Sequence, residues 1–99
     1  MLHIWYTLPM ELSERIIAKL ESQGYVSIDE QQYAPNSTFS PAPSVATNDI
    51  YITDGSAKVA FDGVVHELNL GEGITIPSHA SYTLTAGPVG CRMVIGEKN

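Results

Sequence analysis

The spacing of apolar and polar positions changes period once along the chain, near Gly24. Residues 2–8 (LHIWYTL) are rich in β-branched and aromatic types and predict a strand ended by Pro9. Over residues 10–23 (MELSERIIAKLESQ), Leu12, Ile16, Ile17 and Leu20 recur at helical spacing and predict the only helix. Thr7 is its candidate N-cap, Pro9 suits the first turn, and Gly24 is placed to stop it. Glu11 stands four residues before Arg15 as a favourable surface pair. From Tyr25 onward short strand-like runs alternate with turn chemistry, at intervals that suggest a β-sandwich or barrel.

Residues 25–33 alternate imperfectly, and 34–48, with three prolines, read as extended loop or edge strand. The strand-like runs IYIT, SAKVAF and VVHELNL follow, separated by Asp54–Gly55 and Asp62–Gly63. Asp-Gly favours the positive φ of a tight hairpin, so both pairs predict hairpin turns. Further turns are expected at Gly71–Gly73, near His79 and at Gly87–Pro88, around the runs ITIP, SYTLTA and CRMVIG. Period two then assigns inward faces: Ala57, Val59 and Phe61; Val64, His66, Leu68 and Leu70; Tyr82, Leu84 and Ala86; Cys91, Met93 and Ile95. Repeats, linkers and low-complexity tracts are absent from the sequence.

Composition narrows the class. Ninety-nine residues, 43% of them hydrophobic, predict one domain (1–99) with a real core, made of an N-terminal strand and helix (1–24) and a barrel (25–99). Five Lys/Arg against eleven Asp/Glu leave no basic footprint for nucleic acid or an anionic membrane. Met1–Met10 lacks the basic flank and small-residue cleavage site of a leader, and no apolar run reaches the ~20 residues of a membrane span. The expectation is a cytoplasmic protein. Cys91, the single cysteine, cannot form an internal disulfide and reads as a small buried hydrophobe.

Residues 34–96 resemble the cupins, small jelly-roll barrels in which two motifs supply a metal site. Gly55 falls at the end of the first motif, Gly71 opens the second, and Pro77 stands where the second requires proline. The resemblance implies an all-β fold, a cupin-type jelly-roll β-barrel with one N-terminal α-helix. It carries the metal-ligand positions onto Ala42, Ser44, Asn48 and Tyr82, where the family has His, His, Glu and His. None keeps its ligand. The opening glycine of the first motif is Asn36, which tolerates left-handed backbone. In the second motif His79 takes the place of the inner glycine and Ala86 that of the closing asparagine. The implied barrel holds no metal and no other cofactor, since transition-metal sites want imidazole, carboxylate or thiolate. Single-domain cupins commonly dimerise, and the apolar strand 2–8 needs a sheet to pair with, so a homodimer through that strand is expected.

Three functional readings stay open. The first is a metal-free small-molecule-binding or sensing protein, with Tyr82, Asn48, Ser44, Tyr51 and His79 as the polar groups of its pocket. The second is a metal-independent acid–base enzyme of the isomerase or epimerase kind, using Tyr82 with His66 or His79 as catalytic pair. The third is a structural or interaction dimer whose barrel is filled by its own side chains. Beside these, a core tyrosine, a cross-strand His66 and a turn residue at His79 are what an ordinary barrel would contain.

Overall fold

A computed structural model describes residues 12–98. The strand predicted over 2–8, its dimer contact, the Thr7 cap and the Glu11–Arg15 pair fall wholly or partly outside the described residues. The helical spacing is realised as α1, Leu12–Ser22, with Ile16 and Leu20 buried. Gly24 ends it in left-handed backbone at φ 81°, and the Tyr25 N–H donates back to the Leu20 carbonyl at 3.2 Å. Six strands follow: β1 (Ser27–Tyr33), β2 (Thr38–Phe39), β3 (Thr47–Phe61), β4 (Val64–Leu68), β5 (Gly73–Ile76) and β6 (Tyr82–Lys98).

Two long strands organise the rest. The first half of β3 pairs with β5 and with the second half of β6, whose far side carries β1. The second half of β3 pairs with β4 and with the first half of β6, whose far side carries β2. All these pairings are antiparallel, so β3 and β6 each run through two facing layers, the arrangement of a jelly roll. The passage between layers is made by irregularities in the β3–β6 ladder between Ile52 and Asp54 and between Gly55 and Ala57.

This corrects two of the expected turns. Asp54–Gly55 is not a hairpin, and Gly87–Pro88 does not reverse the chain. Gly55 does take positive φ (72°), but Asp54 does not, and a two-residue type I′ turn needs both. At Asp62–Gly63 both residues comply (φ 54° and 75°), and there β3 turns tightly into β4 with Phe61 opposite Val64. Residues 87–90 instead loop out of the ladder, because Cys91 lies opposite Gly55 while Ala86 lies opposite Ala57.

The space between the layers is filled by Ile50, Ile52, Val59, Leu84 and Met93, all fully buried. The assigned inward faces hold at Ala57, Val59, Leu68, Leu84, Ala86, Cys91 and Met93. They fail at Val64 and Leu70, which are exposed: one abuts the turn, and the other lies beyond the end of β4. A second, smaller core lies on the outer face of one layer, where Ile16 and Leu20 of α1 cover Val94. Gly96 makes room for it, since a Cβ there would stand 2.8 Å from Tyr25 Cδ2 and 3.0 Å from Leu20 Cδ1. The same face buries Asp49, which accepts hydrogen bonds from the Tyr25 hydroxyl and from Thr75 Oγ1, the latter at 2.6 Å.

Two outcomes follow for stability. Alanine at Gly55 would overlap the Gly90 carbonyl oxygen and crowd Gly90 C at 3.1 Å, so it should destabilise by more than about 3 kcal/mol. Gly63→Ala meets nothing within 4 Å and should cost only the left-handed backbone penalty of about 1–2 kcal/mol. Urea unfolding of both variants checks the contrast. The bond to Asp49, then burial, pushes the Tyr25 phenol up from 10.0 to about 12. Between those values the unfolded chain has lost the proton that the folded one keeps, so Tyr25's contribution is complete below pH 10 and fades toward 12. Tyr25→Phe should therefore lower the midpoint of urea unfolding at neutral pH and flatten its decline across that alkaline window.

Candidate functional site

Along the inward face of the helix-covered layer, the rows of side chains change from apolar to polar toward one end. Glu97 stands between Ser27 and Asn48 in the last row, and Asp29 is opposite Ile95 in the row before it. Gln31, opposite Met93, closes the polar stretch. Phe39 and Tyr82 come from the facing layer, and the loop through Pro41, Ala42 and Ser44 forms the rim. Together they line a cleft of about 230 Å³. All four positions carried over from the cupin motifs, Ala42, Ser44, Asn48 and Tyr82, line this one cleft.

Several of these groups are held by their neighbours. The Ser44 hydroxyl accepts from the Ala46 N–H at 3.0 Å and donates weakly to Glu97 Oε2 at 3.4 Å. The His79 N–H donates to the Ser44 carbonyl at 2.6 Å and ties the two rim loops together. Asn48 is only 8% exposed, and its amide N–H reaches the Ala46 carbonyl at 3.3 Å. The amide oxygen of Asn48 and the hydroxyl of Tyr82 have no hydrogen-bond partner among the described residues, yet neither is a sealed buried atom. They border the cleft with their bonding capacity free. Burial, and secondarily Tyr33, pushes the Tyr82 phenol up to about 12, so it is an O–H donor at neutral pH. Its ring meets Phe39 edge-on with centroids 6.3 Å apart, and Phe39 in turn stacks on Tyr33 at 5.2 Å.

The other candidates lie elsewhere. Tyr51 points to the opposite side of its layer, where it packs with the helix core and carries Lys19 over its ring at 5.7 Å. His79 is an exposed turn residue at φ 65° whose backbone, not its ring, serves the rim. His66 is half-buried opposite Val59, its ring 6.4 Å from Phe61, and does not line the cleft. Neither histidine lines the cleft with Tyr82, and neither ring is hydrogen-bonded to its hydroxyl among the described residues. Cys91 is 4% exposed, and burial pushes its thiol up. Ser27, Asp29, Gln31 and Glu97 are polar lining residues that sequence reasoning missed, as it did the aromatic Phe39. β1 reads SIDEQQY, too polar for period two to mark an inward face, and Glu97 lies beyond the apolar run CRMVIG, so no local signal singled them out.

The donor set does not suit the transition metal that the fold implies. Ala42 offers no donor, Ser44 and Asn48 are neutral oxygens, and Tyr82 would have to lose a proton that burial makes it hold. Among the described residues, no three His, Cys, Asp or Glu side chains are grouped to hold a metal ion.

No family model matches the sequence. Among curated proteins no significant match is found. Solved structures do match. An RmlC-like cupin from Shewanella frigidimarina superposes with a TM-score of 0.66 at 16% identity, covering 74% of this chain and 65% of that one. The polyketide cyclase RemF from Streptomyces resistomycificus gives 0.61 at 26% identity, over 71% of this chain and 52% of the cyclase. A de novo designed double-stranded β-helix gives 0.62 at 15% identity, with 74% of this chain matching the whole design. The fold shared with these structures is the cupin-type jelly roll, all-β with one helix among the described residues. The chain spans about half the length of the cyclase. Among the described residues no helix is long and apolar enough to cross a membrane.

Proposed function

We propose that this chain is a small-molecule-binding cupin whose site is the cleft at the polar end of the barrel and which works without a bound metal. The observation that carries the reading is the pair of unsatisfied groups on the cleft wall, the Asn48 amide oxygen and the Tyr82 hydroxyl. Both atoms are open to the cleft, so what meets them there is water or a ligand. An acceptor and a donor in a half-apolar cleft match the general design of a pocket that orients a ligand through a few polar contacts. The barrel centre is closed by Ile50, Ile52 and Met93, so the ligand is small and sits at the mouth.

Backbone amide NMR with a fragment library tests this. Bound fragments should shift resonances around Ser44, Asn48 and Tyr82, and the shifts should vanish in Ala42→Trp, which fills the cleft from its exposed rim. Tyr82→Phe should weaken hydroxyl-accepting fragments by roughly 2–10-fold, the worth of one hydrogen bond. Untagged protein should carry only substoichiometric Zn, Mn, Fe and Ni by elemental analysis. Fragments that bind only elsewhere, or a stoichiometric metal, would overturn the reading.

A homodimer through residues 2–8 is proposed alongside, supported by the apolar run LHIWYTL and by β1, β2, β4 and β5 each pairing on one side only among the described residues. Sedimentation should show a dimer at micromolar concentration, and a Trp5→Glu variant should sediment as monomer; a monomeric parent protein defeats the proposal.

A further inference from the structure

We propose that the cleft is selective for an organic ammonium ion carrying a compact apolar body, over neutral or anionic molecules of the same shape. The inference rests on the reading of the cleft as a ligand site and adds the chemical class of the ligand. The charged side chains lining the cleft are Asp29 and Glu97, and neither lysine, arginine nor histidine lines it. No ion pair to a described residue neutralises either carboxylate; Glu97 receives only the weak Ser44 hydroxyl bond. The nearest cation in sequence, Lys98, lies over the Tyr25 ring at 5.4 Å, on the helix-covered side of the layer. The cleft therefore presents two carboxylates that no described residue compensates.

An acidic lining alone would not define a ligand, but two further features point the same way. Asn48, more than nine-tenths buried, adds an oxygen with no hydrogen bond to accept, suited to an N–H donor. Phe39 and Tyr82 add aromatic surface, and ring faces attract ammonium groups while giving an anion nothing. Ser27, Gln31 and Ser44 add neutral polar groups, and Pro41, Ala42, Ala80 and Ile95 add an apolar wall for a hydrocarbon body. A divalent metal ion would want about six to eight oxygens closing around one point. Half of this cleft offers none.

Benzylamine, benzyl alcohol and benzoate share a ring and differ mainly in charge, so their binding to the full chain separates charge from shape. Followed by amide NMR at low salt, benzylamine should bind about tenfold more tightly than benzyl alcohol, and benzoate should not bind. Glu97→Gln should remove most of that preference. Asp29→Asn should remove less, because Asp29 is exposed at the rim and more strongly screened. Benzyl alcohol should lose far less affinity than benzylamine in both variants, and its retained binding reports that the cleft is intact. Equal binding of the amine and the alcohol, or a preference that survives both substitutions together, overturns the ammonium assignment. If Ala42→Trp still abolishes both ligands, the cleft as a ligand site stands. Failure of all three compounds to bind up to their solubility limits defeats both. Ca²⁺ or Mn²⁺ that binds stoichiometrically and displaces benzylamine also overturns the assignment, in favour of a metal.

Discussion

Where Gly55 meets Gly90 the backbones of β3 and β6 come so close that no side chain fits between them, and the architecture follows from that approach. These strands, of 15 and 17 residues, are too long for one flat layer of a small barrel and must bend from one layer into the other. Bending a paired ladder sharply requires unequal numbers of residues on its two sides and backbone in the left-handed region, which glycine adopts without penalty. Gly55 and Gly90 both take positive φ, and residues 87–90 supply the extra length on β6. With both strands bent, their inward rows face each other, and the space between them closes over Ile50, Ile52, Val59, Leu84 and Met93.

The cleft is a consequence of where those apolar rows stop. Sheet rows are filled as long as successive inward positions are apolar, and on the helix-covered layer they cease at Ile95. Beyond it the register sets Glu97 beside Ser27 and Asn48, which water or a ligand can satisfy but a hydrocarbon core cannot. The helix covers the other side of the same layer, so this end is stiffened from outside while its interior stays open. Asp49 and Asn48, adjacent in sequence, illustrate the division. One is buried outward under Tyr25 and Thr75 with its oxygens paired, and the other is buried inward with an oxygen to spare.

Much of the fold was legible because barrel formation depends on local patterns. Helix α1, the Asp62–Gly63 turn and the alternation through 57–61 and 82–86 are all properties of short stretches. Asp54–Gly55 misled because a positive φ serves a bulge as well as a hairpin, and only long-range pairing decides between them. The convergence of Ala42, Ser44, Asn48 and Tyr82 came through family resemblance, since three of these residues have no chemistry that would single them out. Asp29 and Glu97 were not legible. They stand far apart in the sequence, and their meeting follows from the register of β1 against β6, which no local pattern encodes. Nothing within IYIT assigns Tyr51 a face, and the pairing of β3 turns it toward the helix core, away from the cleft.

The position of β6 within the sheet has a bearing on how the molecule comes into being. Its second half lies between β1 and β3, joining residues near 27 and near 47 to residues near 97, and its first half lies between β2 and β3. A nascent chain emerging from the ribosome thus holds β1 through β5 with their central partner still missing. Hairpin β3–β4 can form early, but both layers and the two carboxylates of the cleft wait for the last strand to be made. Contacts so distant along the chain assemble slowly. Until then the segments that will become the core stay uncovered and open to association with other chains.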